Sequence, residues 1–183
     1  MNRDVDTKNE ELSLLVRSDQ QAGKIFGAAS VKLLGLPGNR VDSLDRLDVV
    51  KGAEAEIEQL QPHTVIIHHS GDVNIDHQIT HEAVVTACRP QPGHAVRCLL
   101  AFEVSSSTEW QLLSSNVAFQ PNWFEDVSGT IDRKTETFKV YKAEMREWPH
   151  ARSLQNVKHL TQWQGGSVGC EAVETFILLR ELK

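Results

Sequence analysis

The sequence predicts an α/β fold in which helices cover a mostly parallel sheet, arranged in three layers. Segments with the period of a helix alternate along the chain with short apolar segments that fit strands. The run Thr64–Ile67 is β-branched and mostly apolar at successive positions, which is typical of a strand buried on both faces. Histidines and acidic residues follow this run directly, so we expect a site where that strand ends.

The order of the elements follows from hydrophobic periodicity and from turn residues. Asp45 and Asp48 suit the first turns of a helix that begins at Ser43, and Asp76 is placed to cap the next helix. Helices are predicted over residues 7–26, 43–60, 76–88, 131–146 and 154–164. Strands are predicted over residues 30–36, 64–68, 96–104 and 119–124, and a glycine turn over 165–169 precedes a last apolar segment, 172–182.

Composition limits the classes of protein to consider. The 183 residues suit a single domain, and 40% of them are apolar, which is ordinary for a protein with a packed core. The formal charge is -6 and the basic residues form no cluster, so we expect no nucleic-acid partner. No apolar stretch is long enough to span a bilayer and no signal-peptide pattern opens the chain, so a cytoplasmic location is expected. The three cysteines are widely spaced, which favours reduced thiols over a disulfide framework.

One stretch, residues 68–82, holds four of the eight histidines. His77 and His81 lie four residues apart on the predicted helix and share a face, a spacing that suits one zinc ion or a hydrogen-bonding pair. Asp76 has two interpretations, an N-cap or a carboxylate that orients an imidazole. Asn74 is either a hydrogen-bond donor to a substrate oxygen or a turn residue.

The same stretch resembles a known family. The segments 67–69, 74–77 and 80–84 are similar to the second conserved motif of the PIG-L/LmbE-like zinc deacetylases, in which a sequence of the form H-P-D-H or N-x-D-H follows a strand. The resemblance continues on both sides, through segments 17–27, 34–37, 119–124, 131–142, 148–153 and 165–176. It implies a Rossmann-like domain of the LmbE type that uses Zn²⁺ to remove an N-acetyl group from an N-acetylglucosamine-like sugar conjugate.

The resemblance also implies roles for individual residues. His77 is expected to bind the zinc ion, while Asp76 and Asn74 are expected to act as catalytic residues that support the tetrahedral oxyanion. Many relatives carry a histidine at the position of Asn74, and an amide donates a hydrogen bond but cannot act as an imidazolium acid. Arg17 and His81 are expected to contact the amino-sugar substrate.

The chain departs from the family pattern at its start. The family's first motif, A-H-P-D-D-E, which supplies two zinc ligands and the general base, does not occur. We therefore expect a domain truncated at its N terminus, with weak or absent zinc binding and with a tendency to form homo-oligomers through unpaired sheet edges. Three hypotheses follow: part of a zinc deacetylase, a truncated non-catalytic relative that binds a sugar or a protein partner, and an unrelated metal site built from His68, His69, His77 and His81.

Overall fold

The computed structural model describes residues 5–112 and 118–183, and it describes the side chains of the first helix from residue 13 onward. These residues form two compact units. The helical unit contains the described residues up to Leu34 and Asp126–Val173, and the sheet unit contains the described residues of Gly35–Glu125 and Glu174–Lys183. In chain order the elements are α1 (Val5–Phe26), a 3-10 turn (Val41–Ser43), α2 (Arg46–Leu60), β1 (Thr64–His68), α3 (Ile75–Ala87), β2 (Cys98–Phe102), β3 (Trp123–Asp126), α4 (Ile131–Lys139), α5 (Leu154–Val168) and β4 (Val173–Glu181).

The four strands form one sheet in the order β1-β2-β4-β3. β1 and β2 run parallel, with His68 opposite Phe102, whereas β2 and β4 run antiparallel. The α/β class is therefore confirmed, but the sheet is mixed and the prediction of a mostly parallel sheet is wrong. The direction of β4 depends on how the chain returns to the sheet, and the apolar pattern of residues 172–182 does not encode that direction.

Two helices place the start of α3 beside the end of β1. α2 packs against α3, and α3 lies against β1. One core cluster joins the two helices to the 3-10 turn, and a second joins them to β1 and β2. Cys88 and Cys98 are buried and form no disulfide, as expected for reduced thiols. Burial raises the pKa of the Cys88 thiol. The buried residues of the second cluster are Ile67, Cys88, Val96, Leu99 and Ala101.

The helical unit is built from α1, α4 and α5. α4 contacts both other helices, and the Tyr141 hydroxyl donates a hydrogen bond of 2.8 Å to the Asp19 carboxylate of α1. α5 continues through Gly165 to Val168, and Gly169, with a φ of 80°, ends it, so the predicted glycine turn is wrong. A Cβ at Gly165 would lie 2.7 Å from the carbonyl oxygen of Cys170. Glycine is present there because the chain packs closely against the helix.

Several predicted boundaries also change. Residues 30–36 form neither strand nor helix, and their three leucines are exposed, so the apolar run finds no strand to pair with in the described residues. α2 begins at Arg46, after the side chain of Asp45 accepts the Leu47 amide, and α4 ends at Lys139 instead of 146. No helix among the described residues is long and apolar enough to cross a bilayer.

Candidate functional site

The candidate site lies at the carboxyl ends of β1 and β2. These neighbouring strands are parallel, so the loops that follow them, residues 69–74 and 103–108, emerge on the same edge of the sheet. The amide of Val73 donates to the Ser107 carbonyl oxygen at 3.3 Å, which joins the two loops directly. α3 begins at the end of the first loop, so its first two turns face this edge.

Asp72 is the centre of the loop contacts and is fully buried. Its carboxylate accepts hydrogen bonds from the Ser107 hydroxyl, from the Thr108 hydroxyl at 3.1 Å and from the Asn74 amide at 2.9 Å. Its Oδ2 also lies 3.2 Å from Nδ1 of His77. Burial raises the pKa of Asp72, but the His77 contact and the hydrogen bonds from Ser107 and Asn74 outweigh it and lower that pKa to about 2.

His77 is held between Asp72 and a second imidazole. Its ring stacks on His68 with centroids 4.2 Å apart and planes inclined by 18°. Its Nδ1 lies next to the Asp72 carboxylate, although the contact does not have the geometry of a well-formed hydrogen bond. The His77 side chain is 21% exposed, and Nε2 makes no hydrogen bond to the described residues. Nε2 is therefore the nitrogen left for a ligand.

His68 is a neutral partner in this stack. Burial, followed by the nearby imidazole of His77, lowers its pKa to about 4, with Asp72 opposing this effect and His81 adding to it. Its Nδ1 is buried and makes no hydrogen bond to the described residues. The ring also contacts Phe102, 4.8 Å away between centroids. His68 thus packs as an aromatic ring behind His77.

His81 and His69 turn away from a common metal site. His81 shares a helix face with His77, as expected, but its Nδ1 donates to the carbonyl oxygen of His68 at 2.7 Å. His69 is 3% exposed and its ring meets Phe119 edge-on at 5.4 Å. Within residues 5–112 and 118–183 no three His, Cys, Asp or Glu side chains are placed to hold a metal ion. The hypothesis of a four-histidine site is therefore wrong.

The structure gives Asn74 and Asp76 local tasks. Asn74, not Asp76, is the N-cap of α3, because its Oδ1 accepts the Asp76 amide at 2.9 Å. The prediction that Asp76 caps the helix is therefore wrong. The Asp76 carboxylate accepts the amides of Asn39 at 2.5 Å and Val41 at 3.0 Å. The Asp76 side chain thus anchors the loop that leads into the 3-10 turn. Its catalytic role stays a prediction.

One predicted residue belongs to the helical unit, and three residues of the cluster were missed. Arg17 is exposed on α1 in the helical unit, and its substrate contact stays a prediction. Sequence reasoning missed Asp72, Ser107 and Thr108. Each stands in a polar loop at the end of a strand, and that shared position is the signal that would have found them. Gln78, which stands where helical zinc motifs carry a glutamate, donates instead to the Asp72 carbonyl oxygen at 2.5 Å.

The structure thus combines an α/β fold with a histidine–carboxylate pair at the carboxyl ends of two parallel strands, which is a common position for ligand sites in α/β folds. Residues 2–88 match the protein-family model described as PIG-L: GlcNAc-PI de-N-acetylase. The expected resemblance to the PIG-L family is therefore confirmed over this part of the chain. No curated protein sequence matches the chain.

Solved structures share the fold at low sequence identity. A conserved protein from Thermus thermophilus, TT1542, matches with a TM-score of 0.73 and 18% identity over 93% of this chain and 75% of that one. GalB, the 4-carboxy-2-hydroxymuconate hydratase from Pseudomonas putida, matches with a TM-score of 0.71 and 16% identity over 93% and 73%. The N,N'-diacetylchitobiose deacetylase from Pyrococcus horikoshii gives 0.61 and 12% over 92% and 64%. These identities show a common fold, and folds of this kind host different chemistries.

Proposed function

We propose that this chain carries part of the site of a PIG-L-type N-deacetylase, which hydrolyses the acetamide of an N-acetylglucosamine-like sugar conjugate to acetate and a free amine. The observation that supports it is His77 at the carboxyl edge of the sheet, with a buried carboxylate behind Nδ1 and with Nε2 left for a ligand. The match of residues 2–88 to a de-N-acetylase family adds to this support.

The described residues fit one part of a zinc site and not the whole of it. His77 suits a zinc ligand, because metal-binding histidines commonly turn their other nitrogen to a carboxylate. When bound, zinc polarises the amide carbonyl and lowers the pKa of a water molecule. A catalytic zinc needs about three protein ligands, and the described residues bring no such set together. Under this proposal the other ligands come from outside the described residues.

Two side chains have donors or acceptors available for substrate. The Oδ1 of Asn74 is used by the helix cap, so its Nδ2 is the group that would donate to a developing oxyanion. Nδ1 of His81 donates to a backbone carbonyl, so its Nε2 carries no proton in the neutral ring and would accept from a sugar hydroxyl. Arg17 as a substrate contact and Asp76 as a catalytic carboxylate remain parts of the proposal, as does a cytoplasmic location.

A second candidate is a non-catalytic relative that binds a sugar or a protein partner. It is favoured by one observation, the absence of a three-ligand metal set in the part of the chain that the structure describes. A relative of this kind would keep the loop geometry around Asp72 and bind without hydrolysis.

The test is acetate release by the full chain. N,N'-diacetylchitobiose and N-acetylglucosamine are incubated with the chain and one equivalent of Zn²⁺, and acetate and free amine are measured by proton NMR. Acetate release that depends on this site should be abolished by His77→Ala and left intact by His63→Ala, a change at an exposed histidine before β1. Saturable sugar binding without acetate would favour the second candidate. Equal release by His77→Ala and the unchanged chain would contradict the role of His77.

A further inference from the structure

We propose that Asp72 is a positioning residue, which with Ser107 and Thr108 behind it holds the His77 ring in the tautomer whose unprotonated Nε2 points to the ligand. The inference rests on the proposed function only for the identity of that ligand. The tautomer and the orientation of the ring are properties of the chain alone.

The carboxylate of Asp72 is held at both oxygens. Oδ1 accepts the Ser107 hydroxyl and the Asn74 amide at 2.9 Å, and Oδ2 accepts the Thr108 hydroxyl at 3.1 Å and faces Nδ1 of His77. The side chain is fully buried, so water does not compete for these oxygens. Rotation of the carboxylate would break contacts at both oxygens, so its direction is set before any ligand arrives.

The residues that support Asp72 are themselves held in place. Oγ1 of Thr108 accepts the Val104 amide at 2.8 Å, so its hydrogen is left to point at Asp72. The Ser107 amide donates to the Glu109 carboxylate, which keeps the loop after β2 in place. The backbone of Asp72 is fixed separately, because Gln78 of α3 donates to its carbonyl oxygen. The ends of two strands and one helix therefore all contact a single residue, Asp72.

The chemistry of the pair selects one tautomer. A carboxylate accepts hydrogen bonds and donates none, so the neutral imidazole lowers its energy by placing its proton on Nδ1, the nitrogen that faces Asp72. Nε2 then holds the lone pair that a metal ion or a substrate proton needs. An amide in place of the carboxylate could donate to Nδ1 and would drive the proton to Nε2, as happens when an asparagine replaces the aspartate behind a catalytic histidine.

The experiment reads the tautomer directly. Long-range proton–nitrogen correlation spectra of the ¹⁵N-labelled full chain, recorded near neutral pH without metal, identify the protonated nitrogen, and His77→Gln assigns the signals. We expect the Nδ1–H form in the unchanged chain and a shift to the Nε2–H form in Asp72→Asn.

A second pair of variants covers a failure of Asp72→Asn to fold. Ser107→Ala removes one donor and should mix the two tautomers, whereas Ser105→Ala, at a serine of the same loop that does not contact Asp72, should leave the spectrum unchanged. An Nε2–H form of His77 in the unchanged chain overturns the proposal, as does a tautomer that no variant alters. The expected tautomers without acetate release would leave this inference standing and count against the deacetylase.

Discussion

Protonation of His68 should destabilise the folded chain at mildly acid pH. The ring is packed against His77 and Phe102, and its buried Nδ1 makes no hydrogen bond to the described residues. Burial and the neighbouring imidazoles of His77 and His81 lower its pKa from 6.5 to about 4, and the nearby Asp72 carboxylate only partly offsets them. The His68 side chain therefore binds a proton more weakly in the folded chain than in the unfolded chain.

The sign and the size follow from proton linkage. Below pH 6.5 the unfolded chain binds more protons at this residue than the folded chain, so the free energy of unfolding falls as the pH drops toward about 4 and then levels off. The lowered pKa corresponds to about 3 kcal/mol across the whole window. Solvent at the partly exposed edge of the ring reduces this to about 2 kcal/mol between about pH 7 and pH 4.5.

Urea unfolding followed by circular dichroism at several pH values in this window measures the effect. His68→Phe keeps an aromatic ring in the stack and removes the titrating group, so it should lose about 2 kcal/mol less than the unchanged chain. It should also be no less stable at neutral pH, because the buried Nδ1 has no hydrogen bond to lose among the described residues. His63→Gln, at an exposed histidine, is the control. Parallel stability curves for His68→Phe and the unchanged chain would refute the reasoning.

Two further predictions concern packing and the loop before the 3-10 turn. Gly165→Ala should lower the free energy of unfolding in urea by about 1–3 kcal/mol, because its Cβ would lie 2.7 Å from a backbone carbonyl oxygen. Gly166→Ala, with open space around it, should stabilise α5 by up to about 1 kcal/mol. Equal effects of the two changes would contradict the packing argument. Asp76→Ala should lower the free energy of unfolding by about 1–3 kcal/mol and speed hydrogen exchange at the amides of Asn39 and Val41. Asp76→Asn should have an intermediate effect on both quantities. Unchanged exchange at both amides would show that Asp76 does not anchor this loop.

Local patterns in the sequence predicted much of the scaffold around the site. The β-branched run before His68 indicated β1, and the structure places that strand at Thr64–His68. The spacing of His77 and His81 indicated a shared helix face, which α3 provides. These features depend on contacts between residues fewer than about five positions apart, or on a hydrophobic period, and both are visible along the chain.

Other local patterns misled because tertiary contacts outweighed them. Gly165 and Gly166 suggested a turn, yet α5 runs through both, since a close backbone approach at Gly165 explains the missing side chain. The apolar run at residues 30–36 suggested a strand that the described residues leave unpaired. Asp76 was a reasonable N-cap by position, but the side chain of Asn74, which precedes the helix, makes the capping bond.

By itself the sequence determined the class of fold, the strand that leads into the histidine cluster, the helix that follows it and the resemblance to the PIG-L family. Only the tertiary structure decided that the sheet is mixed, that Asp72 faces His77, and that Ser107 holds Asp72 from a loop 35 residues further along the chain. The physical reason is that a hydrogen bond between two loops depends on the register of β1 against β2, and that register is set by the packing of the whole sheet.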